Sequence, residues 1–178
     1  LVALCLILSV LSPYFATADN LTNVSRQVAF VALLAIGQTY VILTGGIDLS
    51  VAAVAALAAS VTTVLMTQPL ALAGVQIGPM NPVLAIAIGL AVGTLCGAFN
   101  GWLIATFGIP DFIATLGTLT IYRGAALLVT NGLPVPSFQS AEGGAPVAPF
   151  LIEAGTGSIL GVPISVLITT IAALIAWW

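Results

Sequence analysis

Apolar residues run along this chain in long unbroken stretches, with polar residues confined to short punctuations between them. Six runs stand out: Leu1–Phe15, Gln27–Thr44, Ile47–Thr67, Pro82–Phe107, Pro110–Thr130 and Ile159–Trp178. Most reach the ~20 residues that a helix rising 1.5 Å per residue needs to cross ~30 Å of hydrocarbon. The runs are continuous rather than alternating, and an open sheet edge has no place in lipid, so helices are predicted and strands are not. The expected fold is all-α: a polytopic membrane bundle with about six transmembrane helices across residues 1–178. The first run starts on Leu without a basic leader or a cleavage signal, and reads as a truncated helix rather than a signal peptide. The last stops at Trp177-Trp178, at an interfacial aromatic belt or an arbitrary cut.

The connectors alternate in character. Gly45-Gly46 and Gly108-Ile109 are very short and predict tight antiparallel hairpins between helices two and three and between four and five. The first, third and fifth connectors are longer and rich in Pro, Gly, Asn, Ser and Thr, and by parity they share one side of the membrane. The fifth, "NGLPVPSFQSAEGGAPVAPFLIEAGTGS", carries Glu142 and Glu153 without a base. A single loop cation, Arg26, does not fix the orientation by the positive-inside rule.

Helix packing leaves its own pattern. Gly89, Gly93, Gly97 and Gly101 recur at four-residue spacing in "GLAVGTLCGAFNGW". Each step of four advances about 40° around a helix, so the glycines form a slanted smooth groove. In lipid such a stripe lets another backbone approach closely; the other reading is the floor of a pathway. Ala52, Ala56 and Ser60 continue a four-residue spacing that begins at Asp48, which predicts that Asp48 faces the packed side of the third helix.

Composition sharpens the class. The chain is 61% hydrophobic and 4% charged, with a mean hydropathy of +1.27. A soluble domain is about a quarter charged because its surface faces water. This one is suited to lipid, and no nucleic-acid partner is expected. It holds neither His nor Lys, so it lacks the lysine of a phosphate-binding loop and the commonest general base and metal ligand. No catalytic group and no metal site are expected. Cys5 and Cys96 sit in apolar runs and read as small packed hydrophobes rather than a disulfide or metal pair.

The few polar residues inside the runs are the candidate functional groups. Asp48 follows a permissive Gly-Gly turn and is suited to cap the first amides of helix three; a pathway or subunit-contact role is the alternative. Arg123 lies seven residues before Thr130, about 10 Å from that helix end, within snorkelling reach of the interface or placed for a substrate path. Asp111 after Pro110 is a helix-start signal. Gln38, Asn100, Thr115, Thr118 and Thr120 either line a polar route or tie helices together.

Three stretches then match a known pattern: "GQTYVILTGGIDLSV" (37–51), "GAFNGWLIATFGIPDFIATLGTLTIYRGAALLVTNGLPV" (97–135) and "GVPISVLITTIAALIAWW" (161–178). In content, order and spacing they resemble the ribose/xylose/galactose-type permeases of bacterial ABC importers. "TGGIDLSV" and "FIATLGT…RG" are the specific parts. One departure is Ala52-Ala53, where that family often has Gly-Ser.

The resemblance implies a multi-pass subunit of the bacterial cytoplasmic (inner) membrane that pairs with a second permease copy. Cytoplasmic ATP-binding subunits, where ATP and Mg would reside, would drive it, and an extracytoplasmic sugar-binding protein would supply the solute. It implies an N-terminus inside, with connectors one, three and five outside, and no cofactor in this chain. It also implies that residues 1–178 are about the first half of a permease, without the family's coupling loop. The function expected is alternating-access import of a neutral monosaccharide, since a charged solute would ask for more fixed charge than this chain has. A secondary transporter or channel, or a non-transporting assembly subunit, are the rival readings.

Overall fold

The computed structural model describes residues 1–72, 75–77, 79–135 and 145–177. Seven helices are present among them: α1 (Val2–Leu11), α2 (Ala18–Leu43), α3 (Val51–Thr67), α4 (Pro82–Phe107), α5 (Asp111–Val129), α6 (Pro149–Thr156) and α7 (Ile164–Trp177). α2, α4 and α5 are long and apolar enough to cross a membrane; α1, α3 and α7 are apolar but run 10, 17 and 14 residues. Their outward side chains are largely Leu, Ile, Val and Phe, the surface that hydrocarbon accepts.

Two departures from the expected runs have clear causes. α2 begins nine residues before Gln27, taking in the polar stretch "ADNLTNVSR". The Thr17 hydroxyl accepts the Asn20 amide at 3.3 Å, and Asp19 lies in the first turn, so the start is capped by local chemistry rather than by apolarity. At 26 residues α2 is about 39 Å long, more than the hydrocarbon needs, and Arg26 belongs to this helix and not to a loop. The connectors also hold short antiparallel ladders where only turns were expected: β1 (Leu70–Leu72) with β2 (Val75–Ile77), and β3 (Ser158–Ile159) with β4 (Val162–Pro163). Leu160 and Gly161 turn the second ladder at φ 52° and 81°, the positive pair that a two-residue hairpin demands. Glu153 falls in α6; Glu142 and Trp178 lie outside the described residues.

The chain forms two compact units. One comprises residues 1–37 and 149–178. In it the Arg26 guanidinium donates to the Thr156 carbonyl, and the Thr169 hydroxyl donates to the Ala29 carbonyl at 3.0 Å. The other comprises residues 38–148, where α3 packs against both α4 and α5. Its apolar centre is Ala53, Leu57, Cys96 and Tyr122, flanked by Val54, Val61, Val92 and Leu119.

α4 shows why its limits match the sequence pattern. Asn81 accepts the Val83 amide at 2.9 Å, Pro82 opens the helix, and Gly108 closes it in the left-handed conformation at φ 62°. Gly89 is buried against α3: a Cβ there would lie 2.9 Å from the Ala58 carbonyl oxygen and clash with Thr62. A Cβ at Gly93 would meet only ordinary contacts, and one at Gly97 or Gly101 would meet nothing within 4 Å among the described residues. The stripe is thus a close helix contact at Gly89 and open surface at its other end.

Candidate functional site

The segment between α2 and α3, "TGGIDLS", is held by α4 and α5 from outside itself. Gly45 turns the chain at φ 79°, a conformation costly for other residues. Gly46 follows under a different constraint: a Cβ there would sit 2.9 Å from Asp111 Oδ2 and 3.3 Å from the Val41 carbonyl. That closeness lets the Asp111 carboxylate reach across 64 residues and accept the Ile47 amide at 3.2 Å. One turn along α5, Thr115 Oγ1 accepts the Leu49 amide at 3.2 Å and lies 3.3 Å from the Ile47 carbonyl and 2.8 Å from its own Asp111 carbonyl. Two residues of α5 therefore satisfy backbone groups that a short loop would otherwise leave unpaired.

Asp48 lies within this clamp. Helix α3 starts later than the sequence suggests, with Ser50 in the N-cap position and no side-chain cap bond of its own. Asp48 precedes that cap by two residues, and its Oδ1 accepts both the Ser50 amide and the Ser50 hydroxyl at 2.7 Å. The expectation that Asp48 caps the first helical amides directly is corrected to this Asx-type turn on Ser50. The expected packing face changes with it. Asp48 lies outside the helix, so the four-residue spacing to Ala52 does not carry over; Ala53, Leu57, Val64, Met66 and Thr67 are the buried members of α3, while Ala52 and Ala56 are exposed.

From Ser50 the hydrogen bonds continue inward. The Asn100 amide of α4 donates to the Ser50 hydroxyl at 2.8 Å, and the Tyr122 hydroxyl of α5 lies 3.1 Å from Asn100 Oδ1 and 3.0 Å from the Cys96 carbonyl. Asp48, Ser50, Asn100 and Tyr122 thus form one relay joining the loop, α4 and α5. Ser50, Asn100 and Tyr122 are buried, at 0%, 4% and 7% exposed, so a partner lost at these members of the relay is costly.

The remaining candidates divide between interior and surface. Thr115 and Thr118 are buried, and Thr118 is spent on the Thr115 carbonyl at 3.3 Å. Thr120 is exposed and bonds the Gly117 carbonyl at 2.7 Å. Gln38 is half-buried in α2, and its Oε1 has no hydrogen-bond partner among the described residues. Arg123 is exposed and lines a cleft of about 360 Å³ between α3 and α5, away from the relay. The structure therefore joins Asp48, Asn100 and Thr115 to one clamp and leaves Arg123 and Thr120 outside it. Ser50, Asp111 and Tyr122 are partners that the sequence reading did not assign. Their signal was present: Asp111, Thr115, Thr118 and Tyr122 lie at i, i+4, i+7 and i+11, one face of α5. Cys96 is buried in the core and Cys5 is exposed, both as free thiols.

A protein family described as "Branched-chain amino acid transport system / permease component" matches residues 20–178. Among individual proteins, the chain is 34% identical over 178 residues to the ribose import permease protein RbsC of Haemophilus influenzae, covering 100% of this chain and 50% of that protein. It is 38% identical over 170 residues to the D-allose transport system permease protein AlsC of Escherichia coli, covering 94% of this chain and 46% of that one. It is 34% identical over 147 residues to the xylose transport system permease protein XylH of Escherichia coli, covering 83% and 35%. The chain spans half the length or less of these relatives. No solved structure matches it.

Proposed function

This chain belongs to the branched-chain amino acid transport system / permease component family, and from that premise we propose that it forms the membrane-spanning permease part of an ATP-driven importer. The solute proposed is a neutral monosaccharide, carried across a bacterial cytoplasmic membrane. The observation that carries the sugar reading is the likeness, along nearly the whole chain, to relatives named for ribose, D-allose and xylose. The chemistry agrees with it. Asp48 and Asp111 are spent on the Ser50 and Ile47 groups of one clamp, and the buried polar side chains among the described residues of 38–148 are hydroxyls and one amide.

The mechanism proposed is alternating access. A ligand shifts an inward/outward equilibrium only by binding the two states unequally. ATP and Mg bound by separate cytoplasmic subunits would supply that difference, and an extracytoplasmic binding protein would deliver the sugar. A second copy of the permease would complete the pathway, with lipid around the pair. Within this chain the relay and the α5 clamp hold the α3 start to α4 and α5, so Asn100 and Thr115 act as ties, while Thr118 bonds the Thr115 carbonyl of its own helix. Gln38, Thr120 and Arg123 are the pathway candidates with an unspent or outward polar group.

The test is uptake into vesicles containing the complete transporter, with ribose, allose and xylose each offered with its binding protein. Uptake that requires ATP and the binding protein supports the reading. Uptake driven by an ion gradient without ATP would establish the secondary-transporter alternative instead.

A further inference from the structure

Two exposed faces of the 38–148 unit differ in chemistry. Along α4 the outward residues include Val83, Leu84, Leu90, Leu95 and Trp102, all at least half exposed and all large and apolar. This is a face made for hydrocarbon. The cleft between α3 and α5 is not. There α3 presents Ser60 and Thr63 among alanines, α5 presents Arg123 beside Ala126 and Leu127, and Thr130 follows at its C-cap, with no carboxylate among the described lining residues. The Arg123 guanidinium makes no hydrogen bond or ion pair among the described residues. An unpaired cation about 10 Å inside a helix end is costly in lipid, and such groups face protein or water.

The hydroxyls narrow the occupant further. Thr63 donates its proton to the Ala59 carbonyl at 2.8 Å and Thr130 to the Ala126 carbonyl at 3.1 Å, so both oxygens are left as acceptors facing the cleft. A carboxylate would pair with Arg123 but bring no proton to those oxygens. A polyol brings both: adjacent oxygens for the planar guanidinium fork and O–H groups for the threonines. Resting on the transport reading above, we infer that the α3–α5 cleft is a hydrated wall of the solute path and that Arg123 contacts the sugar's hydroxyls.

Cysteine accessibility tests this in the complete transporter, in a Cys5→Ser, Cys96→Ala background. Single cysteines at Ala56 and Ala126 should react with a hydrophilic methanethiosulfonate at least about tenfold faster than one at Leu90, because the thiolate forms in water and not in lipid. The transported sugar should slow both reactions. Rates at Ala56 and Ala126 as slow as at Leu90 would mean that lipid or a helix covers the cleft, and would overturn the proposal. Fast rates that the transported sugar leaves unchanged would overturn the sugar contact.

Transport kinetics provide the second readout. Arg123→Lys keeps the charge but loses the fork, and should raise the sugar KM about tenfold with Vmax nearly unchanged. An unchanged KM in both Arg123→Lys and Arg123→Met would also overturn the contact. Fast thiol reaction in a protein that takes up no sugar would instead refute the transport reading while leaving the hydrated wall in place.

Discussion

The Asn100 amide donates to the Ser50 hydroxyl at 2.8 Å, across 50 residues of sequence, and fastens the start of α3 to a point about two turns from the end of α4. Both side chains are buried, and Asn100 is also reached by Tyr122, so one amide serves two helices and a loop.

Removing that amide should therefore be felt widely. Asn100→Leu leaves the Ser50 hydroxyl without its donor and the Tyr122 hydroxyl without one of its two acceptors. A cost of about 1–3 kcal/mol in stability is expected for groups stranded in this way. Tyr122→Phe removes only the outer end of the relay and should cost less. The double variant should fall short of the sum of the two, because both act on one network. Thermal unfolding in detergent measures all three; strictly additive losses would show that the relay is not a unit.

Asp48 acts through an oxygen acceptor. Asn offers the same Oδ1 to the Ser50 amide and hydroxyl, so Asp48→Asn should keep most stability and most uptake. Asp48→Ala removes the turn and should cost about 0.5–2 kcal/mol, the range for a lost cap. A well-folded Asp48→Asn protein without uptake would make the charge itself the working feature.

The glycine stripe predicts an asymmetry along one helix. Gly89→Ala places a methyl group against the Ala58 carbonyl and Thr62, and overpacking of that kind costs about 1–3 kcal/mol. Gly97→Ala meets nothing within 4 Å among the described residues and replaces a poor helix former, so the unit should lose no stability there. Equal losses at the two positions would show that another segment packs as tightly on Gly97 as α3 does on Gly89.

These contrasts mark where the sequence was readable. α4 was legible residue for residue because its signals are local: Asn81-Pro82 opens it, Gly108 ends it, and apolar residues fill the interval. α2 was not, since hydropathy reports which residues suit lipid, while the helix continues through polar residues that cap it in water. The start of α3 was misread for a different reason. "GGIDLS" is apolar enough to pass for helix, but its backbone is claimed by Asp111 and Thr115, more than 60 residues away. Arg123 showed its depth in the helix from sequence alone, but not its neighbours on α3, which only the packing reveals.

Orientation is the last expectation that the chain offers for test. α5 spans 19 residues, about 28 Å, so its two flanking segments should emerge on opposite sides of the membrane. Ile109 before the helix and Leu133 after it make suitable probes, because neither carries the positive φ found at Gly108, Asn131 and Gly132. In the background lacking Cys5 and Cys96, a cysteine at Leu133 should react with an impermeant maleimide added to intact cells. One at Ile109 should react only once the cytoplasmic side is exposed. The charge pattern does not decide this: Arg26 bonds the Thr156 carbonyl within its own unit, and one basic residue sets no bias. The reverse labelling would invert the importer orientation while keeping α5 as a span. Labelling of both positions from one side would remove α5 from the list of spans, and with it the hydrated cleft that Arg123 lines.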